Sequence, residues 1–425
     1  MGRNAQAMIK VAASNIPKVL DGRPSFSNEA SRMRPWDWLS LTLAFTVLAS
    51  SNYWKVVGSA PLVLFTTFCA IYLSVEVQSR RRLLNFTWLG AISSLGALYL
   101  ALSYFQMLPG KPVMYDQRYV FRMGYFVLII YPITAFFYQI FTKLSNEEAG
   151  LNAAKLALVI SLAMSLLLYF YPPVDGHWIV EGQDISLFGS VYSNLNYTLT
   201  NLAILFLFAV IQLSLRWRLF GLLLALFAVT SDSAQMNLVA LIILAFSFSR
   251  NPCTLSKWIS RFIIFGFPLA AIFMVVFADT VGIDANTIHR AKWWTEALHA
   301  TAQTGGIGLG FGADSTTDYI VEERFDQFGK WEQLPVHVIH NDIVYLFYAL
   351  GLVGGAIFIY YLLWYLQPDN DRAWNARAAS FFLVVLCVTL TVNSGLVSPS
   401  IFVGVCMLLG YLEAFRDRAR PERAR

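Results

Sequence analysis

The chain has 425 residues, of which 57% are hydrophobic and only 13% are charged. Soluble domains carry about 25% charged residues, so this composition excludes an ordinary soluble domain and predicts an all-α, polytopic integral membrane protein. The net charge of +5 does not require a nucleic-acid partner, because the arginine-rich C-terminal tail can meet anionic lipid headgroups of the bilayer or remain solvated.

Apolar runs that can cross a bilayer, each about 20 residues long, predict twelve membrane spans after a polar and basic N-terminal segment. The spans are expected at 38–54, 57–76, 86–105, 124–142, 154–171, 193–215, 217–232, 234–249, 262–279, 342–366, 379–396 and 399–415. The seventh and eighth share the polar break SDSAQMN, which must be buried in protein or line a water-filled cavity unless the two form a re-entrant pair. The N-terminal segment lacks the features of a cleavable signal peptide, so we expect the first apolar run to be retained.

Lysine and arginine residues indicate the orientation of these spans, since basic loops stay in the cytoplasm. With both termini inside, 23 of the 31 basic residues fall on the cytoplasmic side. All the histidines fall on the outer side, which favours an external working face: His177, His289, His299, His337 and His340. The predicted organisation is a cytoplasmic basic segment at 1–36, spans one to nine at 37–279, an external loop at 280–341, spans ten to twelve at 342–415 and a cytoplasmic basic tail at 416–425.

Most of the polar chemistry lies in that external loop and at the start of span ten. The loop opens with HRAKWWTEALHATAQTGGIGLGFG, in which Arg290 precedes Trp294 by four residues and a glycine-rich run follows. It closes with VHVIHND before the apolar helix YLFYALGLVGG. This order resembles the O-antigen ligase and polymerase superfamily of bacterial envelope glycosyltransferases, which includes lipopolysaccharide ligases, O-antigen polymerases and exopolysaccharide polymerases. The resemblance is strongest over residues 288–356.

The resemblance implies an activity and its partners. It implies transfer of a glycan from an undecaprenyl-diphosphate carrier to an acceptor hydroxyl, on the periplasmic side of the bacterial inner membrane and without a metal or cofactor. The acceptor would be another glycan or the lipid A core, and a partner that regulates chain length is left open. Residues 280–341 would then be a periplasmic catalytic loop.

Two residues are predicted to be catalytic. Arg290 suits the developing charge on the diphosphate leaving group, because a planar guanidinium makes bidentate contacts with phosphate oxygens. His340 suits the acceptor hydroxyl, since an imidazole with an ordinary pKa near 6.5 accepts a proton at periplasmic pH. Asn341 is expected to orient His340 or to cap the following helix. His337, one turn earlier, is either the active group instead or a neighbour.

The segment EGQDISLFGSVYSNLNYTLTN departs from the family pattern. Ligases of this group usually carry a second arginine just before such a segment, and here it contains none. The family's asparagine is matched by Asn194 or Asn196, and the missing cation is expected to be replaced by Arg118, Arg122 or Lys292, since a diphosphate needs more than one donor. This gap favours a polymerase over a lipopolysaccharide ligase.

Several features of the loop have alternative interpretations. His337 and His340 have a metal-ligand spacing, but no carboxylate or cysteine motif accompanies them, so we predict no metal site. Trp293 and Trp294 suit either sugar stacking or membrane anchoring. The run GGIGLGFG lacks a preceding strand and a G-K-[ST] ending, and is interpreted as a flexible turn under a lipid-linked substrate rather than a nucleotide loop.

A secondary transporter is the remoter alternative, because twelve spans with both termini inside are also common among transporters. Such proteins usually show related halves with binding groups near the membrane midplane. Here no internal repeat is visible, and the ionisable residues are predicted to lie outside. The pattern therefore favours the transferase.

Overall fold

The computed structural model describes residues 35–49, 60–79, 87–108, 117–143, 238, 241–242, 244–246, 248–276, 285–311, 321–325, 331–335, 339, 341–369, 376–392, 396 and 399–419. The helices are α1 (Pro35–Ala49), α2 (Ala60–Ser79), α3 (Thr87–Tyr104), α4 (Gln117–Lys143), α5 (Pro252–Arg261), α6 (Phe267–Val276), α7 (Ala285–Gln303), α8 (Asp342–Tyr360), α9 (Ala376–Val392) and α10 (Pro399–Ala419). A π-helical turn, Phe262–Gly266, joins α5 to α6, and a second, Tyr361–Tyr365, extends α8.

The described residues confirm an α-helical protein, with one small addition. Strands β1 (Val321–Phe325) and β2 (Trp331–Pro335) form an antiparallel hairpin inside the segment predicted to be an external loop. Its strands are only five residues long, and a two-stranded hairpin adds no core of its own.

Predicted spans one to four and nine to twelve each overlap with a helix. Spans five to eight, at 154–171, 193–215, 217–232 and 234–249, lie wholly or mostly outside the described residues. Among those described, Gly124–Lys143 and Asp342–Tyr365 are long and apolar enough to cross a membrane. The count of twelve spans and their orientation stay predictions.

Helix α4 lies at the centre of the described bundle and packs against α2, α3 and α10. Helix α10 approaches α4 closely at Gly410, where an added Cβ would lie 2.6 Å from Phe137 Cβ and 2.8 Å from Tyr138 N. Small residues allow such close helix contacts where lipid supplies no hydrophobic driving force. The other helices pack next to this group. Helix α8 packs on α3, and α7 packs on both α8 and α6. Helix α5 packs on α9.

Helix α8 is interrupted in its middle, where Gly351 has φ 70° and ψ −172°. The glycine-rich run after α7 fills this break. Leu309 N donates to Tyr348 O at 2.8 Å, and Leu352 N donates to Gly306 O at 2.8 Å. The run thus supplies backbone partners that the broken helix lacks, which a backbone that crosses a membrane would require.

The glycines are needed for this close approach. A Cβ on Gly351 would clash with the carbonyl oxygens of Gly306 and Ile307, and one on Gly308 would lie 2.5 Å from Gly351 N. Tyr99 on α3 also donates to Ile307 O at 2.7 Å. The predicted turn is therefore tied to the protein: it is a hydrogen-bonded segment between α3 and α8, and it lies beside the middle of α8.

A buried ionic cluster joins α1, α2 and α4 near the helix ends that are predicted to be cytoplasmic. Lys143 Nζ lies 2.7 Å from Asp37 Oδ1 and 2.9 Å from the Tyr72 hydroxyl, which itself donates to Asp37 Oδ1 at 2.7 Å. Both charged side chains are almost completely buried, at 3% and 1% exposure. Charges in such surroundings need a partner, because desolvation of each costs several kcal/mol.

We expect Lys143→Met to destabilise the protein by about 3–5 kcal/mol, because it removes the cation that balances a buried carboxylate. The double variant Asp37→Leu/Lys143→Met should lose much less stability, since an uncharged pair carries no cost of desolvating charges. Lys257→Ala, which removes the exposed Lys257–Asp369 pair, is the matched control and should change stability by less than about 1 kcal/mol. Thermal unfolding in detergent measures all three, and equal melting temperatures for Lys143→Met and Lys257→Ala would contradict this role.

A second buried cluster ties α8 to α10 at the same end of the bundle. The Tyr361 hydroxyl donates to Glu413 Oε1 at 2.9 Å, and Arg416 pairs with Glu413 Oε2 at 3.2 Å. The Arg416 guanidinium also lies 3.5 Å from the centroid of the Tyr365 ring, a cation–π contact. Tyr361 directly follows the C-terminal end of α8, so this cluster lies at the opposite end of that helix from Asp342. The N-terminus of α8 is therefore a separate location from both buried clusters.

Candidate functional site

The N-terminus of α8 forms the first part of the candidate site. Asn341 is its N-cap residue: the backbone is extended, and the side-chain Oδ1 accepts a hydrogen bond from Val344 N at 3.0 Å. The residue is fully buried, and its Nδ2 makes no hydrogen bond within the part of the chain that the structure describes. Of the two structural roles predicted for Asn341, the structure shows helix capping. The amide N–H group of the same side chain lies at the N-terminus of α8.

Arg290 lies on α7, and its guanidinium reaches the end of another helix. Nη1 donates a hydrogen bond to Val392 O, the last residue of α9, at 3.2 Å. A cation at this position interacts favourably with the negative end of the α9 dipole and satisfies a carbonyl that has no partner in its own helix. The side chain is partly buried, so solvent screens this contact only in part.

Asp342 is a site residue that the sequence did not single out. Its side chain is fully buried, and Oδ2 accepts a hydrogen bond from Leu396 N at 2.9 Å, in the connection between α9 and α10. An acidic residue in the first turn of a helix is ordinary, because it complements the helix dipole. The signal that could have found it is the position of a carboxylate at the start of a predicted membrane span, where an ionisable group is costly.

The tryptophans of α7 face the protein interior. Trp294 is only 2% exposed and its ring centroid lies 6.0 Å from that of Phe267 on α6, while Trp293 is 8% exposed. This burial favours a packing role for Trp294 over an open platform for a sugar ring. Lys292, on the same helix, is exposed, and its role as a second cation stays a prediction.

The side-chain positions of the other predicted site residues lie outside what the structure describes. His340, His337, Asn194 and Asn196 lie outside the described residues. Arg118 and Arg122 lie in the first two turns of α4, where the structure describes the backbone but not these side chains.

The described part of the site combines positive and polar groups around one connection. Arg290 contacts residue 392 at one end of the α9–α10 connection, and Asp342, next to the Asn341 cap, contacts residue 396. The half positive charge of the α8 N-terminus is already balanced by the Asp342 carboxylate in its first turn, so Arg290 is the group in this part of the site that favours an anion such as a phosphate. Among the residues that the structure describes, no three His, Cys, Asp or Glu side chains group as metal ligands.

Comparison with curated proteins found a similar protein, named "Putative polysaccharide ligase", from Rickettsia bellii (strain RML369-C). The two are 28% identical over 134 residues, which cover 29% of this chain and 33% of that protein. The match therefore spans about a third of the relative's length. No protein-family model and no solved structure matches the chain. With the loop pattern, this relative supports, at the level of the family, the assignment of the chain to the O-antigen ligase and polymerase superfamily.

Proposed function

We propose that the protein is a multi-pass glycosyltransferase of the bacterial inner membrane, which transfers a glycan from an undecaprenyl-diphosphate carrier to an acceptor hydroxyl on the periplasmic side. The observation that supports this most is the anchoring of Arg290 against Val392 O, beside the connection that also contacts the α8 N-terminus. This arrangement offers preorganised positive charge to a diphosphate.

In the proposed reaction, the acceptor hydroxyl oxygen attacks the anomeric carbon of the donor glycan. The bond from that carbon to the diphosphate oxygen breaks, and its electron pair leaves with the diphosphate. Arg290 stabilises the negative charge that develops there, while neutral His340 takes the proton from the attacking hydroxyl. Because attack and departure occur on opposite faces, the anomeric configuration inverts.

A polymerase is favoured over a ligase that attaches the polymer to lipid A core. The reason lies in the segment 181–201, which has no arginine where ligases of the superfamily usually have one. The two activities differ only in the acceptor, so the proposed roles of Arg290 and His340 are the same in both. The name of the Rickettsia relative describes a polysaccharide ligase, which keeps the ligase as the second candidate.

We expect purified protein to extend a synthetic undecaprenyl-diphosphate oligosaccharide without divalent metal, and His340→Ala to lower the rate by about 100-fold or more, as loss of a general base does. Gel analysis of lipid-linked products measures the effect. His299→Ala is the matched control, since this exposed histidine on α7 has no place in the proposed site and should leave the rate unchanged.

The products of this assay separate the candidate functions. A ladder of longer lipid-linked glycans indicates a polymerase, and product only after addition of lipid A core indicates a ligase. An absence of product with both acceptors would contradict the transferase and favour the transporter. Full activity of His340→Ala would remove the histidine from the mechanism and leave His337 to be tested in the same way.

A further inference from the structure

We propose that Asp342 is a positioning residue, which holds the α9–α10 connection and through it orients the guanidinium of Arg290. This inference rests on the proposed function, because it concerns how the transferase site is assembled. Asp342 Oδ2 accepts from Leu396 N at 2.9 Å, and Arg290 Nη1 donates to Val392 O at 3.2 Å. Charged side chains from two different helices therefore hold the same short connection, at positions four residues apart.

Capping of α8 does not explain Asp342. Asn341 already occupies the N-cap position and accepts from Val344 N. Asp342 is the next residue, and its Oδ2 accepts from another segment, at Leu396 N. The contact spans 54 residues of sequence, so it serves the tertiary arrangement rather than the local helix.

The burial of Asp342 strengthens the hydrogen bond between its carboxylate and Leu396 N. The side chain has 0% exposure, and a buried carboxylate without hydrogen bonds is strongly unfavourable. Charge-assisted hydrogen bonds are shorter and about twice as strong as neutral ones, and the α8 dipole adds to the stabilisation of the negative charge. Leu396 is itself 3% exposed, so its N–H group has little access to solvent as an alternative partner.

The orientation of Arg290 then depends on this connection. A guanidinium binds phosphate oxygens in pairs only when its plane faces them correctly. The bond to Val392 O constrains that plane. Val392 is the last residue of α9, and it lies four residues before Leu396, which Asp342 holds. A displaced connection would therefore misdirect the guanidinium without removing it.

The test is a double-mutant cycle with the full-length protein in the lipid-linked glycan assay. Asp342→Leu has the same side-chain branching but no acceptor, and should lower kcat/KM by about 10- to 100-fold, as loss of an outer-shell partner does. Asp342→Asn keeps an acceptor oxygen but loses the charge, and should lower kcat/KM by less than Asp342→Leu does. An Arg290→Lys protein has no planar guanidinium to orient. In that background, Asp342→Leu should lower kcat/KM by less than about a further twofold.

Each result decides the matter. The positioning role would be overturned if Asp342→Leu lowered kcat/KM by the same factor in the wild-type and Arg290→Lys proteins. It would also be overturned if the Asp342→Leu protein were as active as wild type. A loss in Asp342→Asn equal to that in Asp342→Leu would also overturn it, because the acceptor would then be irrelevant. If Asp342→Leu does not fold, Asp342→Ser, too short to reach Leu396 N, takes its place. A wild-type protein without any transfer activity contradicts the proposed function instead, which keeps the two failures distinct.

Discussion

Arg290→Ala is expected to abolish glycan transfer, with a loss of at least about 100-fold in kcat, because it removes a preorganised cation from the developing charge on the diphosphate. Arg290→Lys should retain a small part of the activity, since an ammonium keeps the charge but not the planar donor geometry. The rate of product formation from a synthetic lipid-linked donor measures both variants.

Arg261→Ala is the control for this experiment. Arg261 is an exposed arginine at the end of α5, and it takes no part in the proposed site. Arg290→Ala also removes the bond to Val392 O, so thermal unfolding of each variant separates loss of chemistry from loss of fold. Normal polymer length and amount from a folded Arg290→Ala protein would refute the assigned role.

Gly351→Ala is expected to destabilise the protein by about 3 kcal/mol or more, or to prevent folding. The backbone at φ 70° and ψ −172° is open essentially to glycine alone, which costs about 1–3 kcal/mol for any other residue. In addition, the new Cβ would overlap with Ile307 O and Gly306 O, so the glycine-rich run could not enter the break in α8. Thermal unfolding in detergent, with the yield of folded protein, measures the effect.

Two further glycines separate strain from steric overlap. Gly305 also has a positive φ of 66° but nothing lies within 4 Å of an added Cβ, whereas Gly90 meets only Tyr131 Cε2, at 3.9 Å. Gly305→Ala should therefore cost only about 1 kcal/mol of backbone strain. Gly90→Ala, inside α3, should be neutral or stabilise by about 0.5–1 kcal/mol. A Gly351→Ala protein as stable as Gly305→Ala would show that the run does not need to enter the helix.

The start of α8 illustrates how far sequence reasoning reaches at the site. A polar His-Asn pair before an apolar run predicts a helix N-terminus, and the structure begins α8 at Asp342 with Asn341 as its cap. The partner of Arg290 was not predictable, because Val392 O is a backbone atom 102 residues away. No pattern of side chains in the sequence indicates which backbone carbonyl a distant arginine will contact. The role of Trp294 was not predictable either. The sequence leaves a membrane anchor, a sugar-stacking platform and a core residue open, and only the burial of the side chain favours the core.

The amino-acid sequence by itself determined the α-helical class, the positions of the helices that overlap predicted spans, and the family that the loop predicted to be external resembles. These properties depend on local features: runs of apolar residues, a capping asparagine, and residue order within one segment. Only the tertiary structure decided that the glycine-rich run enters a break at Gly351 and that Asp342 and Arg290 hold one connection. Those contacts join segments far apart in the chain and depend on which helices pack together, so no local pattern contains them.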